Sequence, residues 1–96
     1  MDYKPKTEEL SSVELSEELS NLVEKISENI HDAWAEKRME NGWVYGSVYD
    51  NINKLHPCLV EYSKLTEEEK EIDRVTVAST IKMLLKLGYS IERGNE

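Results

Sequence analysis

Leu15, Leu19, Leu22, Val23, Ile26, Ile30, Ala33 and Trp34 recur at steps of three and four residues. A stripe of that period, held for roughly five turns, has one economical solution: an amphipathic α-helix with its apolar face covered. Its ends are marked as well. Ser16 is an N-cap with Glu17 and Glu18 placed on the positive end of the helix dipole, and Lys37 and Arg38 fall near the negative end. Gly42 then supplies the left-handed stop. These signals predict a helix over about 16–41.

A second helix is expected over about 66–87. Thr66 and Glu69 have the spacing of a capping box, in which hydroxyl and carboxylate each satisfy the other residue's free N–H. Ile72, Val75, Ala78, Ile81, Leu84 and Leu85 then suggest one apolar face, and Gly88 ends the run. The β-branched cluster Val75-Thr76-Val77 lowers helix propensity, so a break near 71–74 is one expectation for this segment. Between the helices neither period holds. Asp50-Asn51-Ile52-Asn53 is turn chemistry, His56-Pro57 imposes an extended step, and 58–62 reads as a short strand or a pinned extended segment. So long a connection in so small a domain points to an ordered, functional loop. The fold expected is a mainly α, compact single domain of two main helices joined by a long, partly extended connection. Two readings stay open over 1–15, a helix over Glu8–Glu18 by propensity or the extended chain that Pro5 and Ser11-Ser12 favour, and a loose tail is expected over 92–96.

Charge and cysteine content narrow the function classes. The net charge of −8 is concentrated early: residues 1–28 carry eight acids against three lysines, whereas 29–66 carry five acids against four cations. Duplex nucleic acid is bound through cation-rich surfaces, and no basic stripe exists here. The near-neutral middle is where an anionic ligand is least repelled. A single cysteine, Cys58, excludes an internal disulfide framework and fits a reducing cytoplasm. Apolar runs reach only three residues, as in Met83-Leu84-Leu85, far from the ~20 of a membrane span. The expectation is a soluble cytoplasmic chain that engages no membrane.

Four blocks carry a resemblance: Asn29-Ile30-His31-Asp32-Ala33-Trp34, Gly42-Trp43-Val44-Tyr45-Gly46, His56-Pro57-Cys58-Leu59-Val60-Glu61-Tyr62, and Lys82-Met83-Leu84-Leu85-Lys86-Leu87-Gly88-Tyr89. In this order and spacing the chain resembles the RyR domain, the repeat found in tandem pairs in the cytoplasmic part of ryanodine receptors. The resemblance spans residues 3 to about 92, and through Tyr3 and Pro5 it implies an extended lead-in over 1–15 before the first helix. It implies a helical, non-enzymatic binding or regulatory module and no channel. Asn29, His31, Trp34, Gly42, Gly46 and Pro57 are the structural marks it assigns. Two departures matter: there is one copy instead of a pair, so a homodimer is the implied substitute, and the phosphorylated loop between paired repeats is absent. A single stand-alone copy suggests a microbial or phage source, and for such domains a nucleotide-like ligand or a regulated partner is implied.

The candidate ligand site is the aromatic loop 42–46 with its neighbours: Trp43 and Tyr45 as stacking rings, Arg38 one turn earlier as a phosphate partner, and His56. Two readings stay open for Trp43, a core-covering cap or a groove wall. His31 is expected to be held by a carboxylate or a backbone group, with Trp34 in the core and mid-helix Asn29 bonded to a neighbouring loop. The alternative function is a structural module that dimerises through the same loop without a ligand. No cofactor or metal is expected. His31, His56 and Cys58 lack paired-ligand spacing. A calcium loop counted from Asp50 meets Ile52, Lys54 and Leu55 where oxygen ligands and a glycine are required. Cys58 reads as small apolar filler, and the carboxylate pairs Glu28/Asp32 and Glu36/Glu40 read as solvated helix faces.

Overall fold

Ser16 caps the first helix, α1 (Glu17–Glu40), by accepting a hydrogen bond from the Leu19 N–H. A computed structural model describes residues 2–94; Met1, Asn95 and Glu96 lie outside the described residues, including the last two positions of the expected loose tail. At its far end α1 closes at Asn41, and Gly42 follows at φ +91°, a conformation that strains any L side chain. The second helix, α2 (Glu67–Lys86), opens on the capping box, with Thr66 Oγ1 and the Glu69 carboxylate each taking the other's N–H. Among the described residues no helix is long and apolar enough to cross a membrane.

α2 is one continuous helix, so the break weighed near 71–74 does not occur. Packing overrides propensity there. Val77 is buried against the core, and the Thr76 hydroxyl donates back to the Ile72 carbonyl, which satisfies it inside the helix. The buried face of α2 is also rotated from the expected one: Val77 and Ile81 are buried while Ile72, Val75 and Leu84 are exposed. The α1 stripe divides in the same manner. Val23, Ile30 and Trp34 are half-buried, whereas Leu22, Ile26 and Ala33 face solvent.

The helices run antiparallel. Glu24 in α1 pairs with Arg74 in α2, and the end of α2 reaches the lead-in, where Lys86 Nζ meets the Glu9 carbonyl at 3.0 Å and Glu8 at 3.3 Å. Ser27 is completely buried, its hydroxyl donating to the Val23 carbonyl at 2.7 Å. Arg74 forms a clasp across the hairpin, bonding Glu24 through Nε and Nη2 and Glu67 through Nη1. The Tyr62 hydroxyl donates to the same Glu24. Burial and then this carboxylate push the Tyr62 hydroxyl up to about 12, while Arg74 and then Tyr62 hold the Glu24 carboxyl below its usual value.

Among the described residues, four of the six buried apolar side chains come from the connection: Trp43, Leu59, Tyr62 and Leu65 join Val77 and Ile81 in the core. The connection contains two short parallel strands, β1 (Val44–Tyr45) and β2 (Leu55–His56), in the register Val44↔Leu55 and Tyr45↔His56. Residues 58–62 form no strand; they turn into a single 3-10 turn, Tyr62–Lys64. The Asp50 carboxylate accepts from the N–H groups of Ile52 and Asn53, both at 3.0 Å, and so fixes the turn between the strands. Gly46 is required by close approach: a Cβ there would lie 2.6 Å from Leu55 Cβ.

Candidate functional site

Six rings gather where the connection meets the C-terminal half of α1. His31 stacks on Trp34 at 5.6 Å, and His56 meets Trp34 edge-on at 4.9 Å. Trp43 stacks with Tyr49 at 5.7 Å and touches His56 at 6.2 Å; Tyr62 lies 6.1 Å from His31. The Arg38 guanidinium sits 4.5 Å over the Trp43 ring and 5.7 Å from that of Trp34, a cation–π arrangement that ties the helix to the loop. His31 is held by backbone: Nε2 donates to the Val60 carbonyl at 2.7 Å, across 29 residues of sequence.

This arrangement settles the environment of each expected residue. Trp43 is only 8% exposed, so it presents no open ring face. Tyr45, at 55%, projects from β1 into solvent. Arg38 is half-buried against the two tryptophans, and His56 is half-buried beside them. Arg38, Trp43 and His56 are therefore brought together, and Tyr45 is not part of their cluster. Pro57 is half-buried after β2. Asn29 departs from expectation: it is exposed on α1, and among the described residues its side chain bonds no loop. The loops lie against the opposite face of the helix, where His31 and Trp34 point.

An open groove of about 200 Å³ lies beside the cluster. α1 contributes His31 and Trp34, the connection His56, Cys58 and Leu65, and α2 Glu69, Ile72 and Asp73. Its walls are mostly apolar, and its polar groups have distinct states. The Cys58 N–H donates to His56 Nδ1 at 3.0 Å, and burial followed by the nearby Arg38 charge lowers the His56 pKa. The imidazole is then neutral at pH 7 with its proton on Nε2. The Cys58 thiol donates to Glu69 Oε2 at 3.0 Å; burial, then Glu69, pushes it up to about 11, so it stays a thiol. Glu69 is held low by that thiol and by the Thr66 N–H.

Asp73 is the exception among these groups. It is half-buried in the groove wall, and among the described residues it has no salt bridge or hydrogen bond. The adjacent cations are engaged elsewhere: Arg74 with Glu24, Glu67 and Glu71, and Lys70 with Glu67 and the Tyr62 ring. The sequence held part of this signal, since Glu69 and Asp73 are four apart and share a helix face. That their cations turn away is a tertiary fact.

A family model, the RyR domain, matches residues 3–93. The chain belongs to the RyR domain family. The match covers nearly the whole chain, so the hairpin, the aromatic cluster and the groove all lie within the RyR domain, as do all four blocks noted in the sequence.

Proposed function

We propose that this RyR domain is a non-catalytic cytoplasmic binding module whose ligand seat is the groove between Trp34, His56, Ile72 and Asp73. The ligand class is a nucleotide-like molecule that inserts its base. The observation carrying this reading is the unpaired, half-buried Asp73 carboxylate in an aromatic-walled groove. Among the described residues no cation neutralises this carboxylate, so an N–H-rich ligand edge meets a free acceptor there and makes a charge-assisted hydrogen bond. The groove is smaller than a typical drug-sized pocket, so it suits one planar ring system and leaves the rest of the ligand outside. Phosphates are repelled by Glu69 and Asp73; the cation offered to them is Arg38, one turn beyond Trp34. In this reading Trp43 supports Arg38 and His56 without touching the ligand. The Cys58 thiol stays protonated even against the Glu69 carboxylate, so the groove supplies no thiolate nucleophile, which favours binding over catalysis.

Thermal shift with adenosine, AMP and ATP tests the proposal. At ligand ten times its Kd, native-state binding adds about 1.4 kcal/mol, a rise of roughly 6–11 °C for a domain of this size. Asp73→Leu, which removes an unpaired charge and leaves the fold intact, is expected to abolish the rise. No rise at millimolar ligand, or an equal rise in Asp73→Leu, overturns the reading.

A second reading is a structural module that dimerises through the aromatic loop. One observation favours it: Val44, Tyr45, Val48, Tyr49 and Ile52 are each more than half exposed within nine residues. It requires a dimer that Ile52→Asp returns to monomer by light scattering.

A further inference from the structure

We propose that a second copy of this chain docks along α1, antiparallel, on the stripe Leu22, Ile26, Asn29 and Ala33, and not on the aromatic loop. The proposal is independent of the groove and its ligand. Leu19, Leu22, Ile26, Asn29 and Ala33 of α1 are separated by three, four, three and four residues, the 3.5-residue repeat of a helix–helix seam. The face of α1 turned to its own core is a different one, carrying Val23, Ser27, Ile30, His31 and Trp34. With 3.6 residues per turn the two faces lie about 100° apart. Leu15 and Leu19 are half-buried, and the tail at Ile91–Arg93 borders Leu19 and Leu22. From Leu22 onward the stripe is open: Leu22 is 41% and Ile26 36% exposed, and Asn29 and Ala33 face solvent.

Charge selects the occupant and its direction. Lys25 and Asp32 flank the stripe on the same side, seven residues apart, and among the described residues neither enters a salt bridge. A two-fold axis near residues 27–28 sets Leu22 against Ala33 of the second copy and Ile26 against Asn29 of the second copy. It also brings each Lys25 to the other copy's Asp32, so the patch is complementary to itself. A parallel pairing offers Lys25 only Ile30, which already faces α2, and leaves all four charges unpaired. Asn29 also gains a role. A single polar residue at a seam position fixes register and oligomeric state at some cost in stability. The open seam from Leu22 to Ala33 is short, roughly 17 Å at 1.5 Å per residue. The dimer is therefore weak and concentration-dependent.

Sedimentation equilibrium of the full chain, from micromolar to millimolar at 0.15 M salt, is the test. The expected result is a mass rising from monomer toward dimer. By symmetry each single charge reversal, Lys25→Asp or Asp32→Lys, converts two attractions into two repulsions and raises Kd about tenfold. The double variant K25D/D32K restores the parent Kd, and Ile26→Asp abolishes association while circular dichroism stays unchanged. A strict monomer at millimolar concentration overturns the proposal. So does a dimer that survives Ile26→Asp, one lost on Ile52→Asp, or a double variant no better than either single reversal.

Discussion

The two ends of the helical hairpin are held by different physics. At the connection end, Trp43, Leu59, Tyr62 and Leu65 are buried, His31 reaches the Val60 backbone, and Arg38 lies over two tryptophans. At the other end, the lead-in is mostly exposed and meets α2 through Lys86, which contacts the Glu9 carbonyl and the Glu8 carboxylate in view of solvent. Burial excludes water and rewards exact partners; exposed ion pairs are screened and contribute about 0–1 kcal/mol. The end with the least regular secondary structure is thus the better fixed, and the groove is built on it.

Trp43→Ala should break this comparison most severely. Removing a buried tryptophan from the cluster is expected to cost about 3–5 kcal/mol in urea unfolding, with the aromatic near-UV signal of the remaining rings weakened. A loss near zero would mean that the connection is not the stronger end. The mid-hairpin clasp gives an intermediate, pH-dependent effect. The Glu24 carboxyl is held below its ordinary value near 4.5 by Arg74 and then Tyr62. Its contribution is fully present above that value and is lost as pH falls through the lower folded pKa. Urea melts across pH 2–7 should show a smaller acid loss in Glu24→Gln than in the parent; identical profiles would remove Glu24 from the clasp. Lys86→Gln, at the exposed end, should change stability by no more than about 0.5 kcal/mol.

Legibility in the sequence followed locality. Ser16, Gly42 and the Thr66–Glu69 box are signals completed within four residues, and each helix end lies where they put it. The strands were not legible, because two residues cannot display alternation and their partners lie eleven positions apart. The β-branched run in α2 signalled a weak helix, but Val77 is held by the core and Thr76 by its own carbonyl bond. At the candidate site, Arg38 and His56 were found by their place near an aromatic loop. Asp73 was not, since a carboxylate on a helix gives no sign of whether its neighbouring cations turn toward it. Trp34 and Trp43 were equally visible as residues, and only tertiary placement put the first on the groove and the second behind it.

The pairing of Val44 with Leu55 has a further consequence in the entropy of the chain. Closing a loop costs free energy that grows with the logarithm of its length. The strand pair joins residues 11 apart, whereas Glu24 and Arg74 are 50 apart. On that scaling the strand pair closes for about 1.3 kcal/mol less than the clasp. Of these two closures between distant elements the strand pair is the less costly, so the connection can close on itself before the two helices are clasped together.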